Sequence, residues 1–325
     1  MTIRAFQINE AGEPADFREI DLPSPKPGEV RLNVHSCGLN FADLLIQNGT
    51  YQEIPSPPFT LGMEMAGTVS AIGESVDGIK IGDRVAVYAG QGGLAEAANV
   101  PADRIVPLPD AMSFDQAAAF LIAYGTSHMA LDHRAKLRPG ETLLVTGAAG
   151  GVGLTAVEIG KLMGARVIAH ARGAAKLSVA QAAGADHLID DTEDLRERVL
   201  ALGGADVVYD AVGGEAFRAA FRACNPEGRL ICIGFASGDI PQIPANHLMV
   251  KNLTAIGFYI GGYHTFRADA VRTSFTTLFT WFNEGRLKPH ISHVLPLDQV
   301  REGFELLRSR KSTGKVVIRV RDPAG

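Results

Sequence analysis

The stretch Leu143-Leu-Val-Thr-Gly147-Ala-Ala-Gly150-Gly151-Val-Gly153-Leu154 constrains the fold more than any other in the chain. A short apolar run leads into glycines spaced three apart, and a helix-period segment, Val152–Met163, follows. Such a loop turns tightly with no side chains in the way and stands in front of a helix N-terminus. Its backbone N–H groups and the helix dipole then suit the pyrophosphate of a dinucleotide. Ala149 occupies the place of the second glycine in the common GxGxxG fingerprint. A further strand, Arg166–His170, begins about a dozen residues on, the context that separates a nucleotide loop from an ordinary strand-to-helix turn.

Around this motif strand and helix patterns alternate. Leu143–Thr146, Arg166–His170, His187–Ile189, Val207–Asp210, Leu230–Gly234 and Leu253–Phe258 read as strands. Helices through Val152–Met163, Lys176–Ala183, Leu195–Leu202 and Glu215–Cys224 lie between them. Six strands with intervening helices predict an α/β fold with a doubly wound parallel sheet. Residues 1–122 have a different texture, short strands between Gly and Pro. Val30, Leu32 and Val34 alternate there with Arg31, Asn33 and His35, which predicts a β-rich, barrel-like domain. Towards the end, Ala268–Arg286 reads as a long amphipathic helix with Val271, Phe275, Leu278, Phe279 and Phe282 on one face; Val300–Arg308 is another helix and Lys315–Val320 a last strand. These do not continue the alternation, so residues 262–325 are assigned with 1–122 to one domain. The sheet domain, 123–261, is then an insertion, with a cleft between the two. A chain of 325 residues has room for both.

Hydrophobic residues at 46% and charged residues at 21% exclude a disordered or collagen-like chain. A net charge of −5 offers no electrostatic footprint for nucleic acid or an anionic membrane. Cys37, Cys224 and Cys232 lie too far apart for a CxxC metal site or a disulfide framework. The N-terminus has no basic-then-apolar leader, and no run approaches about 18 apolar residues. We expect a cytoplasmic protein with neither nucleic acid nor membrane as partner. His290 and His293, three apart in an alternating stretch, face opposite sides and chelate nothing together. A hydrolase finds no GxSxG elbow here.

The second strand decides which dinucleotide is favoured. NAD sites carry an Asp or Glu about 20 residues past the glycines, which repels a 2′-phosphate. Here the segment is Ala169-His170-Ala171-Arg172-Gly173-Ala174-Ala175-Lys176, with no carboxylate. Arg172 and Lys176 neutralise a phosphate instead, so NADPH is expected.

The run Gly140–Gly153 followed by Lys161 resembles the signature of the zinc-independent quinone oxidoreductases of the medium-chain dehydrogenase/reductase superfamily, with Glu158 where that signature usually has Gln. Further landmarks agree along nearly the whole chain: Cys37-Gly-Leu-Asn-Phe-Ala-Asp43, Pro58–Gly67, Ile81–Val85, Tyr124-Gly-Thr126, Asp210-Ala-Val-Gly-Gly214 and Thr313-Gly-Lys315. The resemblance implies a GroES-like catalytic domain split around a Rossmann domain, NADPH at the cleft, and a homodimer. Where zinc-dependent relatives hold their metal with Cys and His, this chain has Asn40 and Met63, poor ligands beside thiolate and imidazole, and Glu64 alone does not hold the ion. No metal is expected.

Hydride from NADPH then needs an acceptor whose own electronics take up charge, a quinone or an α,β-unsaturated carbonyl, since neither zinc nor a Tyr-Lys pair is there to stabilise an alkoxide. From the resemblance, Asn40, Tyr51 and Asp43 are the candidate catalytic residues, although the Tyr common in quinone reductases of this group is here Leu45. Candidate cofactor contacts are Asn40, Thr126, Ala149, Gly150, Gly151, Val152, Gly153, Arg172 and Lys176. To these the resemblance adds the loop Gly234-Phe235-Ala236-Ser237, Phe258 and Tyr259 at the end of the last strand, and Lys315. Asp191, where the family often has Tyr, opposes a 2′-phosphate unless it caps the helix that begins at Leu195. The readings are an NADPH:quinone reductase, an NADPH-dependent reductase of enones or enoyl thioesters, and a non-catalytic NADPH-binding protein.

Overall fold

Residues 1–321 are described by a computed structural model; the last four residues of the expected 262–325 segment lie outside them. The apolar strands of the second half bury both faces, as a parallel sheet sandwiched between helices requires. Leu143, Leu144, Val145, Val167, Ile168, Ala169, Val207, Val208 and Tyr209 have no exposed surface. Six strands lie in the order His187–Asp190, Arg166–Ala171, Thr142–Thr146, Ala205–Asp210, Cys224–Cys232 and Thr254–Gly257, every neighbouring pair parallel. This is the doubly wound sheet expected from the alternation. From Thr142–Thr146 the chain winds first to one side and then, from Ala205–Asp210, to the other, so the switch point lies between these two strands. Phe217 and Phe221 of the helix Gly214–Ala223 cover one face with Leu144, Ile168, Val208 and Leu230. Each such buried side chain contributes about 1.5–3 kcal/mol.

The first part of the chain and its C-terminal strands form a GroES-like β unit, antiparallel except where Ile291–Pro296 runs parallel to Lys315–Arg319. Its main sheet runs Ile291–Pro296, Lys315–Arg319, Glu29–Leu39, Glu64–Ile72, Arg84–Tyr88 and Ile105–Pro107, with Ala97–Pro101 also on Glu29–Leu39. Val30, Leu32 and Val34 are fully buried while Arg31, Asn33 and His35 are half-buried, the inside-outside alternation of the sequence. A second, three-stranded sheet pairs Thr2–Ile8 with Asp16–Asp21 and Phe59–Thr60.

The chain divides into two compact units, Met1–Ile122 with Pro289–Gly325, and Ala123–Lys288. The long helix, Ala268–Asn283, therefore belongs to the sheet unit, and the expected boundary at 262 moves to 289. Val271, Phe275 and Leu278 are buried, Ser274 Oγ lies 2.8 Å from His128 Nδ1, and Trp281 packs edge to face on His128 at 5.3 Å. Periodicity marks a face for burial without naming the surface that receives it. The last sheet strand stops at Gly257, and Phe258 and Tyr259 form the link to the helix Ile260–Phe266. Among the described residues no helix is long and apolar enough to cross a membrane.

Candidate active site

The parallel strands end at Thr146, Ala171, Asp190, Asp210, Cys232 and Gly257. All but Thr126 of the candidate cofactor residues in this unit follow one of these carboxyl ends, where ligands of open α/β sheets bind. Thr126 lies buried in the helix Leu121–His128.

The glycine loop sits at the switch point. Gly147, at φ +63, takes a conformation that side chains disfavour, and its carbonyl accepts from Gly150 N at 2.9 Å. Ala149 is buried, and Gly150 begins the helix Gly151–Leu162 with no side chain capping it. The first N–H groups of that helix, those of Gly151, Val152 and Gly153, have no intrahelical acceptor and remain for an anion. Asp210, fully buried, braces the loop: its carboxylate accepts from Thr146 Oγ1 at 2.5 Å and from Gly213 N at 2.9 Å. Burial raises its pKa. From sequence alone Asp210 is only a family landmark; the signal that marks it is an Asp at a strand end, three residues before Gly213-Gly214.

At the neighbouring strand end Arg172 Nε donates to Asp191 at 2.8 Å, and Lys176 is half-buried in the first turn of Ala174–Ala182. Asp191 is not the helix cap; Asp194 is, accepting from Glu197 N at 2.9 Å. The loop Gly234–Ser237 is tied to the segment after Asp210 by Ala236 N to Ala211 O at 3.2 Å and Ser237 N to Val212 O at 2.9 Å. Phe235 is exposed, and Phe258 packs on Tyr263 at 5.4 Å.

In the other unit Asn40, Asp43 and Lys315 come together around Glu64. Lys315 Nζ donates to Glu64 Oε1 at 2.5 Å, Asn40 Oδ1 at 2.7 Å and Leu39 O at 3.0 Å. Asn40 Nδ2 donates to Glu64 Oε1 at 3.0 Å and Gly38 O at 3.2 Å. An ammonium has three donors and an amide nitrogen two. All three Lys315 donors and both Asn40 N–H groups are therefore engaged within this unit. Asn40 retains acceptor capacity at Oδ1. Asp43, also fully buried, accepts from Asn40 N at 2.8 Å and Met63 N at 3.2 Å, so it fastens the start of the helix Phe41–Gln47. Tyr51 lies half-buried in the bend beyond that helix. Cys37 is buried, and burial pushes its thiol pKa well up, the opposite of a metal-binding thiolate.

Burial raises the Asp43 carboxyl from 3.8 to about 7 against the opposing pull of the Asn40 N–H and Lys315. A folded pKa above the unfolded one means that the folded chain binds this proton more tightly. The stability it contributes is complete below about pH 4 and is lost as pH rises through 7, on the order of 4 kcal/mol at full ionisation. Urea unfolding from pH 4 to 8 is expected to show this decline, flattened in Asp43→Asn, which has no proton to lose. Equal slopes in the two proteins would mean that Asp43 does not titrate in this range.

A nucleotide-type sheet joined to a GroES-like β unit is the architecture of the medium-chain dehydrogenases and reductases. Residues 26–110 match the alcohol dehydrogenase GroES-like domain family and residues 151–275 the zinc-binding dehydrogenase family. A quinone oxidoreductase-like protein 2 homolog of Nematostella vectensis is 43% identical over 323 residues, 97% of this chain and 88% of that one. The solved quinone oxidoreductase of Escherichia coli complexed with NADPH superposes with a TM-score of 0.89 at 31% identity, covering 98% of this chain and all of that one. The Thermus thermophilus quinone oxidoreductase, solved alone and with NADPH, gives 0.85 at 36% identity, covering 98% and 100%. The chain belongs to the quinone oxidoreductase family of the medium-chain dehydrogenase/reductase superfamily, and it is an oxidoreductase.

Proposed function

We propose that the protein transfers reducing equivalents from NADPH to a quinone without a metal. The observation that carries the cofactor reading is the uncapped helix start behind the glycine loop at the switch point of the sheet. The amides of Gly151, Val152 and Gly153 would hold the pyrophosphate, and Arg172 and Lys176 would face the 2′-phosphate. When bound, NADPH supplies the hydride.

The donor set argues against zinc. Asn40 and Met63 are weak ligands, and the Glu64 carboxylate is already neutralised by the Lys315 ammonium. Among the described residues no group of three or more His, Cys, Asp and Glu is arranged to hold a metal ion. A quinone, which delocalises the incoming charge, needs the least help from such a site. Asn40, its amide locked by Lys315 and Glu64, offers a fixed acceptor to a hydroxyl or amide of the bound cofactor, and Tyr51 is the aromatic candidate for the acceptor.

Steady-state NADPH oxidation is expected to be fastest with benzoquinone or phenanthrenequinone and at least about 10-fold slower with crotonyl-CoA, a difference of 1.4 kcal/mol in transition-state stabilisation. The reverse ranking would assign the enoyl reduction, and tight NADPH binding without turnover of any acceptor would favour a non-catalytic binding protein.

A further inference from the structure

The carboxyl ends of Arg166–Ala171 and His187–Asp190 are adjacent, with Ala171 opposite Asp190, so the residues beyond them lie side by side. One side contributes Arg172 and Lys176; the other contributes the acidic run Asp190-Asp-Thr-Glu-Asp194. Three of its four carboxylates serve the local fold. Asp194 caps the next helix. Asp190 accepts from Gly173 N at 2.6 Å, Thr192 N at 3.1 Å and Thr192 Oγ1 at 2.8 Å. Glu193 accepts from Asp190 N at 3.0 Å and pairs with Arg198. Asp191 differs: its carboxylate accepts from Arg172 Nε at 2.8 Å.

That pairing changes what Arg172 offers. Asp191 is the less exposed partner, 29% against 65%, so the carboxylate is the anchored member and the guanidinium swings out from it. The Arg172 side chain is largely exposed, but one negative charge is already on the group. His170, at the end of the same strand, is buried, and desolvation lowers its pKa against the opposing pull of Asp191 and Asp190, which disfavours a compensating charge there. A 2′-phosphate arriving here competes with a resident carboxylate for its arginine, whereas the 2′-hydroxyl of NADH meets no such competition.

We infer that Asp191 sets the cofactor preference of this enzyme: by occupying Arg172 it weakens the advantage of NADPH and keeps NADH usable. This rests on the nucleotide reading proposed above. It assigns to Asp191 no contact with the reacting atoms; it is a specificity residue acting through Arg172.

The test is direct nucleotide binding, by titrating protein fluorescence with NADPH and with NADH, in wild type, Asp191→Asn, Arg172→Ala and the double variant. Asp191→Asn keeps the side-chain size and removes the charge. It is expected to tighten NADPH about 3- to 5-fold, the upper end of what one exposed ion pair is worth, and to leave NADH within 2-fold. Raising ionic strength should shrink that gain. Arg172→Ala is expected to weaken NADPH and spare NADH, and in its background the Asn substitution should have no effect on either. An unchanged NADPH-to-NADH ratio in Asp191→Asn overturns the inference, and so does an equal gain with and without Arg172, which would mark simple repulsion. If wild type binds neither nucleotide, the nucleotide reading itself fails and takes this inference with it. An unaltered melting temperature in Asp191→Asn would exclude a fold defect as the cause of any shift.

Discussion

Lys315→Met is expected to destabilise the protein by about 3–5 kcal/mol, a large share of the total for a domain of this kind. The Lys315 and Glu64 side chains are 6% and 1% exposed, so removing the ammonium leaves the carboxylate with no water to take its place. Asn40 Oδ1 and Leu39 O lose a donor at the same time. Glu64→Gln is expected to cost a similar amount, because it strands the ammonium instead. The double variant removes both charges and should recover much of either loss, since a buried pair repays its own desolvation poorly. Urea unfolding at neutral pH reads all three. A loss below about 1 kcal/mol in Lys315→Met would put the pair in the class of solvated surface bridges and dissolve the account of a locked Asn40 amide.

What could be read from the chain follows the range of the interactions. The glycine loop and the strands around it were legible because turn, helix start and apolar run are neighbours in sequence and one principle governs each. The parallel sheet was legible because its strands are apolar on both faces. The pairing of Arg172 with Asp191 was not: the two are 19 residues apart, and they meet only because Ala171 and Asp190 fall into register. Local rules favoured a cap, and the run contained a better-placed cap in Asp194. Lys315 and Glu64 are 251 residues apart, and a motif that brings a lysine near a site does not say that its three donors are already taken. The helix Ala268–Asn283 is legible from its periodicity but its partner is not, since an amphipathic face is the same whichever unit it covers.

Gly153→Ala is expected to abolish most NADPH binding, raising Kd at least about 10-fold, and to cost about 1–3 kcal/mol of stability. Two effects oppose each other at this position. Gly153 lies in the first turn of a helix, where alanine is intrinsically better by about 1 kcal/mol. Its added Cβ, however, would stand 2.1 Å from Gly147 O, 2.8 Å from Gly147 C and 3.0 Å from Ala148 Cα. All three are backbone atoms, so no rotamer change relieves the contact; the loop or the helix start must move. Steric exclusion wins, and the shift displaces the amides proposed to hold the pyrophosphate. Gly150 supplies the contrast, since a Cβ there meets Gly147 O at only 3.4 Å, an ordinary contact. Gly150→Ala should therefore keep its stability within about 0.5 kcal/mol, and any loss of affinity it shows measures how closely the ligand approaches that backbone. Thermal melts and nucleotide titrations of the two variants separate the roles, one glycine needed for the close approach of loop to helix and the other for access of the ligand. A Gly153→Ala protein with wild-type melting and wild-type NADPH affinity would mean that this loop does not carry the cofactor.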